Sequence, residues 1–198
     1  MTILEAKRSL RGRMLALRAS IAARDGTIAA AIAGRAVVAL KDRLARTPRL
    51  VVSAFWPIGD EIDVTMLIDR IFAYDGVVAL PVVVAKHRPL VFRRWSRGDP
   101  LDTAVLGTRV PRSDAVEVVP EIVVTPFLAA DPAGRRVGYG AGFYDMTLRE
   151  LRRRGPVRAI GVGYDAQIVE AVPVTERDER LDLVITERRT IVCGPGTA

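Results

Sequence analysis

Apolar positions near the start of the chain recur at helical spacing. Leu10, Met14, Leu17 and Ile21 fall on one stripe. At about 100° per residue, Lys7, Arg11 and Arg18 form a second, basic stripe along its border. By itself this pattern favours a solvated cationic face beside a core-facing one. The other reading is that cations at the edge of a buried face reach into a cleft. An Ala-rich segment from about Asp25 to Leu44 predicts a second helix, ended by Thr47-Pro48. The period then changes. Leu50 to Phe55 reads as a buried strand, with Trp56-Pro57-Ile58-Gly59-Asp60-Glu61 as the loop at its C-terminal end. Asp63 to Tyr74 returns to helical spacing, Gly76 is its stop, and Val77 to Val84 is the next strand. Lys86-His87-Arg88-Pro89 predicts a turn leading to Leu90-Val91-Phe92.

Glu121 to Thr125 is a further strand, followed by a loop running from Asp131 to Gly142. A helix starting near Gly142 carries Tyr144, Asp145, Leu148 and Leu151 and ends at Gly155-Pro156. Val157 to Tyr164 and Leu181 to Thr186 complete the strands. Strands alternating with helices predict a three-layer α/β fold: a mostly parallel central sheet flanked by helices. One domain over residues 1–193 is expected, with 194–198 as a loose tail.

Composition narrows the function classes. Hydrophobic residues make up 49% of the chain, enough for a proper core. Cys193 is the only cysteine, which excludes an intramolecular disulfide and a cysteine-based zinc site. Its place near the tail argues against a nucleophile, and His87, the only histidine, is expected at the surface in its turn. Met1 to Ser9 carries charge where a leader would need an apolar run. No run of about 18 apolar residues suggests a membrane span, so a cytoplasmic location without membrane partners is expected. The net charge of +7, from 30 Lys+Arg against 23 Asp+Glu, attracts polyanions. No RNP-like aromatic motif accompanies it, so nucleotides and carboxylate-rich small molecules are better candidates than nucleic acid.

Gly134 to Asp145, GRRVGYGAGFYD, concentrates the chemistry. Gly138, Gly140 and Gly142 alternate just before a helix, where backbone N–H groups form an anion site. Arg136 adds a planar cation suited to phosphate oxygens. The dinucleotide pattern fails because Phe143 stands where its third glycine belongs, and the Walker pattern lacks its Gly-Lys-Ser/Thr. A flexible surface loop is the plain alternative to a phosphate loop. Asp145 and Asp178 are candidate metal carboxylates, since Mg²⁺ takes one or two carboxylates plus water and substrate phosphate. Each could equally be a solvated acid or a cap.

The run Arg136-Val137-Gly138-Tyr139-Gly140-Ala141-Gly142-Phe143-Tyr144-Asp145 resembles the signature of 5-formyltetrahydrofolate cyclo-ligases, approximately R-L-G-x-G-x-G-Y-Y-D. Three further blocks match in order. Lys7-Arg8-Ser9-Leu10-Arg11 is similar to the family's N-terminal K-x-x-x-R, and Asp60-Glu61-Ile62-Asp63 resembles its acidic folate block. Gln167, Val172-Pro173-Val174, Asp178 and Leu181-Asp182 resemble its C-terminal block. Phe143 departs from the usual tyrosine, Ala141 stands where Gly or Lys is common, Val110 replaces a common Glu, and Ala130 an aromatic.

The resemblance implies an ATP-dependent enzyme that closes 5-formyltetrahydrofolate, with or without a polyglutamate tail, to 5,10-methenyltetrahydrofolate, with Mg²⁺ as cofactor. It implies that Lys7, Arg11 and Arg136 meet ATP phosphates. Gly138, Tyr139, Gly140, Ala141, Gly142, Phe143 and Tyr144 form the ATP segment, and Tyr139 to Phe143 also face the folate. Trp56 and Glu61 bind folate, Asp145 and Asp178 hold Mg²⁺, and Arg136 and Tyr144 act at the reacting groups. A monomer is expected. The alternative is a binder of folate or nucleotide on the same fold with weakened turnover.

Overall fold

A computed structural model describes residues 1–22, 27–104 and 107–194. Strands β1 (Val51–Ser53), β2 (Val77–Val82), β3 (Val91–Arg94), β6 (Ile122–Pro126), β9 (Arg158–Val162), β10 (Leu183–Ile185) and β11 (Thr190–Val192) form one sheet in the order β11-β10-β9-β6-β1-β2-β3. The inner strands run parallel and both edge strands antiparallel. Helices α1 (Ile3–Ala22), α2 (Ile28–Arg46), α3 (Thr65–Ala73) and α4 (Phe143–Arg154) flank it. Two short hairpins complete the fold: β4 (Leu101–Thr103) with β5 (Arg109–Pro111), and β7 (Ala129–Ala130) with β8 (Arg136–Val137).

The period of two along the strands divides the core into two layers. Val52, Val78, Leu80, Ile122, Val124, Ile160, Val162, Leu183 and Ile185 face the buried stripes of α2 and α3. The alternating Ala79, Val123, Ala159 and Val184 face Leu148 and Leu151 of α4. Sheets buried on both faces read as nearly continuous apolar runs, as these strands do. The expected three-layer α/β sandwich is the observed one.

The differences from the sequence reading have local causes. Val77 to Val84 loses its last two positions, because Val83 and Val84 pass into the exposed turn in which His87 adopts φ 58°. The expected loop from Asp131 to Gly142 contains β8. Its hairpin is closed by the buried Asp131 carboxylate, which accepts the Ala133 and Arg135 N–H groups at 3.0 Å each. Residues 25–26 of the expected second helix and 195–198 of the expected tail lie outside the described residues. Among the described residues, no helix is long and apolar enough to cross a membrane.

Strand order positions the site. From β1 the chain moves outward to β2 on one side; from β6 it moves to β9 and β10 on the other. The carboxyl ends of β1 and β6 therefore flank the point where the winding reverses, the usual ligand crevice of an open α/β sheet. The loop carrying Trp56 and Glu61 leaves β1 there, and the β7–β8 hairpin with the glycine segment follows β6. Helix α1 closes over this end, with Leu10 packed against Ala129, Val137 and Val172.

Candidate active site

The basic stripe of α1 is not a solvated face. Lys7 and Arg18 are buried at 6% and 4% exposure, next to Leu10 at 5%. The sheet end that α1 covers supplies a carboxylate, a carbonyl and a hydroxyl as partners for these cations. Lys7 pairs with Asp178. Arg11 Nε donates to the Gly138 carbonyl at 2.8 Å. Arg18 donates to the Tyr139 hydroxyl.

A second set ties α4 to the 175–179 turn. Arg136 bridges Asp145 Oδ1 at 3.0 Å and the Glu179 carbonyl at 2.6 Å. The Glu179 N–H donates to the same Asp145 oxygen at 3.0 Å. Both carboxylates thus serve this turn, Asp145 at Glu179 and Asp178, itself in the turn, at Thr175. Burial opposes ionisation of Asp178, but hydrogen bonds from Lys7 and Thr175 outweigh it and hold the carboxyl below the usual range. Among the described residues, Asp145 Oδ2 and Asp178 Oδ1 carry no hydrogen bond. No group of three or more His, Cys, Asp or Glu that could hold a metal occurs among those residues. A pair of carboxylates with one free oxygen each fits a cation that takes most of its ligands from phosphate and water, as Mg²⁺ does.

The glycine segment lies between these sets. Gly140 adopts φ 107° and Gly142 φ 70°, backbone that side chains other than glycine rarely take. A Cβ on Gly140 would come within 3.3 Å of the Arg11 guanidinium, so the bare backbone lets that cation lie against the loop. Gly142 caps α4, and Asp145 sits in the helix's first turn, where the dipole favours an anion. Phe143 and Tyr144 pack against the α4-side core, whereas Ala141 is exposed.

On the β1 side, Glu61 is 7% exposed and its carboxylate accepts the Ile58 N–H at 3.0 Å. Burial raises its pKa; the Ile58 hydrogen bond, Arg18 and Tyr139 oppose that rise without cancelling it. The Tyr144 hydroxyl is pushed far above the usual phenol range, chiefly by burial, with the Glu61 charge adding and Arg136 opposing. It is an O–H donor at neutral pH. Trp56 packs against the core on the α2 and α3 side, its ring edge-on to Trp95 with centroids 5.7 Å apart.

His87 is exposed, as expected. Burial, then Asp131 and Asp182, push the Cys193 thiol up to about 11, which leaves it protonated and a poor nucleophile. Sequence reasoning matched Gln167 to the family's C-terminal block without giving it a role, and it did not single out Asp131; the two form the scaffold beneath the site. Asp131 takes the Val172 N–H on its second oxygen, and buried Gln167 donates to the Phe127 and Leu128 carbonyls and accepts from the Tyr164 N–H. A polar residue between apolar neighbours at positions 131 and 167 was the available signal.

The model of the 5-formyltetrahydrofolate cyclo-ligase family matches residues 3–187. The chain belongs to this family. Among curated members, the 5-formyltetrahydrofolate cyclo-ligase of Escherichia coli (strain K12) is 39% identical over 66 residues, covering 33% of this chain and 36% of that one. That of Mycolicibacterium smegmatis is 36% identical over 72 residues, covering 36% of each chain. These alignments therefore span about a third of the relatives' length. The fold extends the likeness to the whole chain. The 5,10-methenyltetrahydrofolate synthetase of Aquifex aeolicus superposes with TM-score 0.76 at 23% identity, covering 97% of this chain and 95% of that one. The synthetase from Mycoplasma pneumoniae gives 0.70 at 18% identity, covering 91% and 98%. At these identities the superpositions speak for the fold.

Proposed function

We propose that this family member is a 5-formyltetrahydrofolate cyclo-ligase, converting 5-formyltetrahydrofolate and ATP to 5,10-methenyltetrahydrofolate, ADP and phosphate. The observation that supports the reading is that Arg11 lies against the Gly138–Gly142 segment, which is flanked in sequence by the paired Arg136 and Asp145, while Lys7, one turn before Arg11 on α1, pairs with Asp178. Polyanion ligands, two carboxylates and a glycine-lined bend are what a Mg²⁺–triphosphate needs.

The chemistry sets the task. The N5-formyl group is an amide, so its carbon is a poor electrophile and its oxygen a poor leaving group. Its oxygen attacks the γ-phosphorus, ADP departs, and an N5-iminium phosphate forms. N10 then attacks the activated carbon and loses its proton, and phosphate leaves as the ring closes. The protein contributes positioning and charge stabilisation.

Lys7 and Arg11 exchange their protein partners for phosphate oxygens, with the amides of Gly142 to Tyr144 completing the cradle. Arg136 directs Asp145 and contributes its charge beside the transferring group. Asp145 and Asp178 hold Mg²⁺, which supplies neutralisation of phosphate charge. The un-ionised Tyr144 hydroxyl donates toward the reacting oxygen. Tyr139, Gly140, Ala141 and Phe143 border both substrates. Glu61 accepts pterin N–H groups, and Trp56 offers an aromatic wall. A monomer in the cytoplasm, accepting folate with or without polyglutamate, completes the proposal.

The test is the gain of the methenyl absorbance band with 5-formyltetrahydrofolate, ATP and Mg²⁺, and its absence when ATP is withheld. A second reading draws on Phe143, which lacks the family's hydroxyl: a binder with weakened turnover. It predicts folate binding without a methenyl band in a single-turnover mixture.

A further inference from the structure

Three elements meet at Arg18. Its side chain comes from α1, is 4% exposed, and donates through Nη2 to the Tyr139 hydroxyl on the glycine segment. The guanidinium carbon lies 5.4 Å from the centroid of the Tyr139 ring. Its Nε, also buried, has no hydrogen-bond partner among the described residues. Glu61, from the loop after β1, interacts with both Arg18 and Tyr139. The other groups facing this cluster are Tyr144 from α4, Tyr164 at the end of β9 and Asp60 on the Glu61 loop.

An arginine serving only to bolt α1 down would be expected to satisfy its buried donors with backbone carbonyls. Arg18 instead spends its hydrogen bond on a half-exposed tyrosine at the substrate loop and leaves Nε unpaired. Among the described residues, Arg18 is the cation that acts on Glu61. We propose that Arg18 is a positioning residue for the folate substrate, fixing Tyr139 and Glu61 relative to each other where the glycine segment meets the loop after β1. The inference rests on the cyclo-ligase reading of the site. Its charge also favours the carboxylate form of Glu61, which pterin N–H donors require, against the burial that disfavours it.

The test compares the wild-type chain with Arg18→Met, Arg18→Lys and Tyr139→Phe by steady-state kinetics, varying each substrate and pH. Arg18→Met is expected to raise KM for 5-formyltetrahydrofolate about tenfold, with KM for ATP changed less than about twofold, the scale of one charged hydrogen bond. The acidic limb of its kcat/KM profile for folate moves to higher pH, because Glu61 loses its cation. Arg18→Lys, which keeps the charge, brings that limb back. Equal rises in both KM values, or an unmoved limb, overturn the inference and leave α1 anchoring as the role of Arg18. If Arg18→Met fails to fold, Tyr139→Phe decides: a selective rise in folate KM supports the inference and an unchanged one overturns it. A wild-type chain that forms no methenyl product overturns the functional reading and this inference together; an active wild type matched by its variants overturns this inference alone.

Discussion

Lys7 and Asp178 close an ion pair across 171 positions of sequence, joining the first helix to the last turn before β10. The ammonium is 7% exposed and the carboxylate 18%. Removing one partner of such a pair strands the other, whereas removing both costs less. The Thr175 N–H and hydroxyl still serve Asp178, which limits the damage. We therefore expect Lys7→Met and Asp178→Asn each to lower unfolding free energy by about 1–3 kcal/mol. Urea denaturation of the double variant should give a favourable coupling of about 1–2 kcal/mol. Additive losses would mean that the pair is not formed in solution.

Arg136 ties Asp145 to the 175–179 turn and cannot be removed without consequence for stability. Arg136→Ala leaves Asp145 without its cation and the Glu179 carbonyl without its donor. The expected cost is about 2–4 kcal/mol of stability and a 10²–10³-fold fall in kcat, the scale of one lost charge donor at a reacting group. Arg136→Lys keeps the charge but cannot fork to both acceptors, so its kcat and melting temperature should fall between the two. A variant with full turnover would remove Arg136 from the machinery.

The fold was legible because hydrophobic period and length agree at every level. Short, valine-rich apolar runs such as Val77 to Val82, which follows Gly76, favour strands buried on both faces over helices, and Gly76 and Gly155 mark element ends. Short pieces were not legible. Strand β11 is an edge strand with only Ile191 half-buried, so it shows no pattern to read, and β8 depends on the Asp131 carboxylate rather than on its own two residues. In the site, the glycine segment announced itself because positive-φ backbone demands a rare residue. The basic stripe was ambiguous. Helical spacing gives the face of a helix but not what covers it, and burial of Lys7 and Arg18 depends on acceptors more than a hundred residues away.

Glu61 links pH to both stability and turnover. Its folded-state pKa is raised by burial above the ordinary 4.5. The folded state therefore holds this proton more tightly than the unfolded chain. That contribution to stability is full below the unfolded value and disappears as pH rises through the folded one. At neutral pH the buried carboxylate is thus a liability to the fold, accepted for binding. Glu61→Gln should leave the urea midpoint at neutral pH equal to or higher than wild type, while folate KM rises by about 10²-fold. It should also abolish the acidic limb of kcat/KM. A lower midpoint with an intact limb would show that Glu61 is a structural acid.

Gly140 permits a close approach as well as an unusual backbone. At φ 107° an added Cβ is strained, and it would press on the Arg11 guanidinium at 3.3 Å. Gly98 shares the first feature without the second: its φ is 93°, and nothing lies within 4 Å of an added Cβ. Both Gly140→Ala and Gly98→Ala should lose about 1–2 kcal/mol of stability to backbone strain. Only Gly140→Ala should also raise KM for ATP, by about five- to twentyfold, because Arg11 is displaced from the phosphate side of the loop. Thermal melts measure the shared loss and ATP titration the separate one. If both variants bind ATP as wild type does, Arg11 and the glycine bend do not form one nucleotide site, and the cradle assigned to them is wrong.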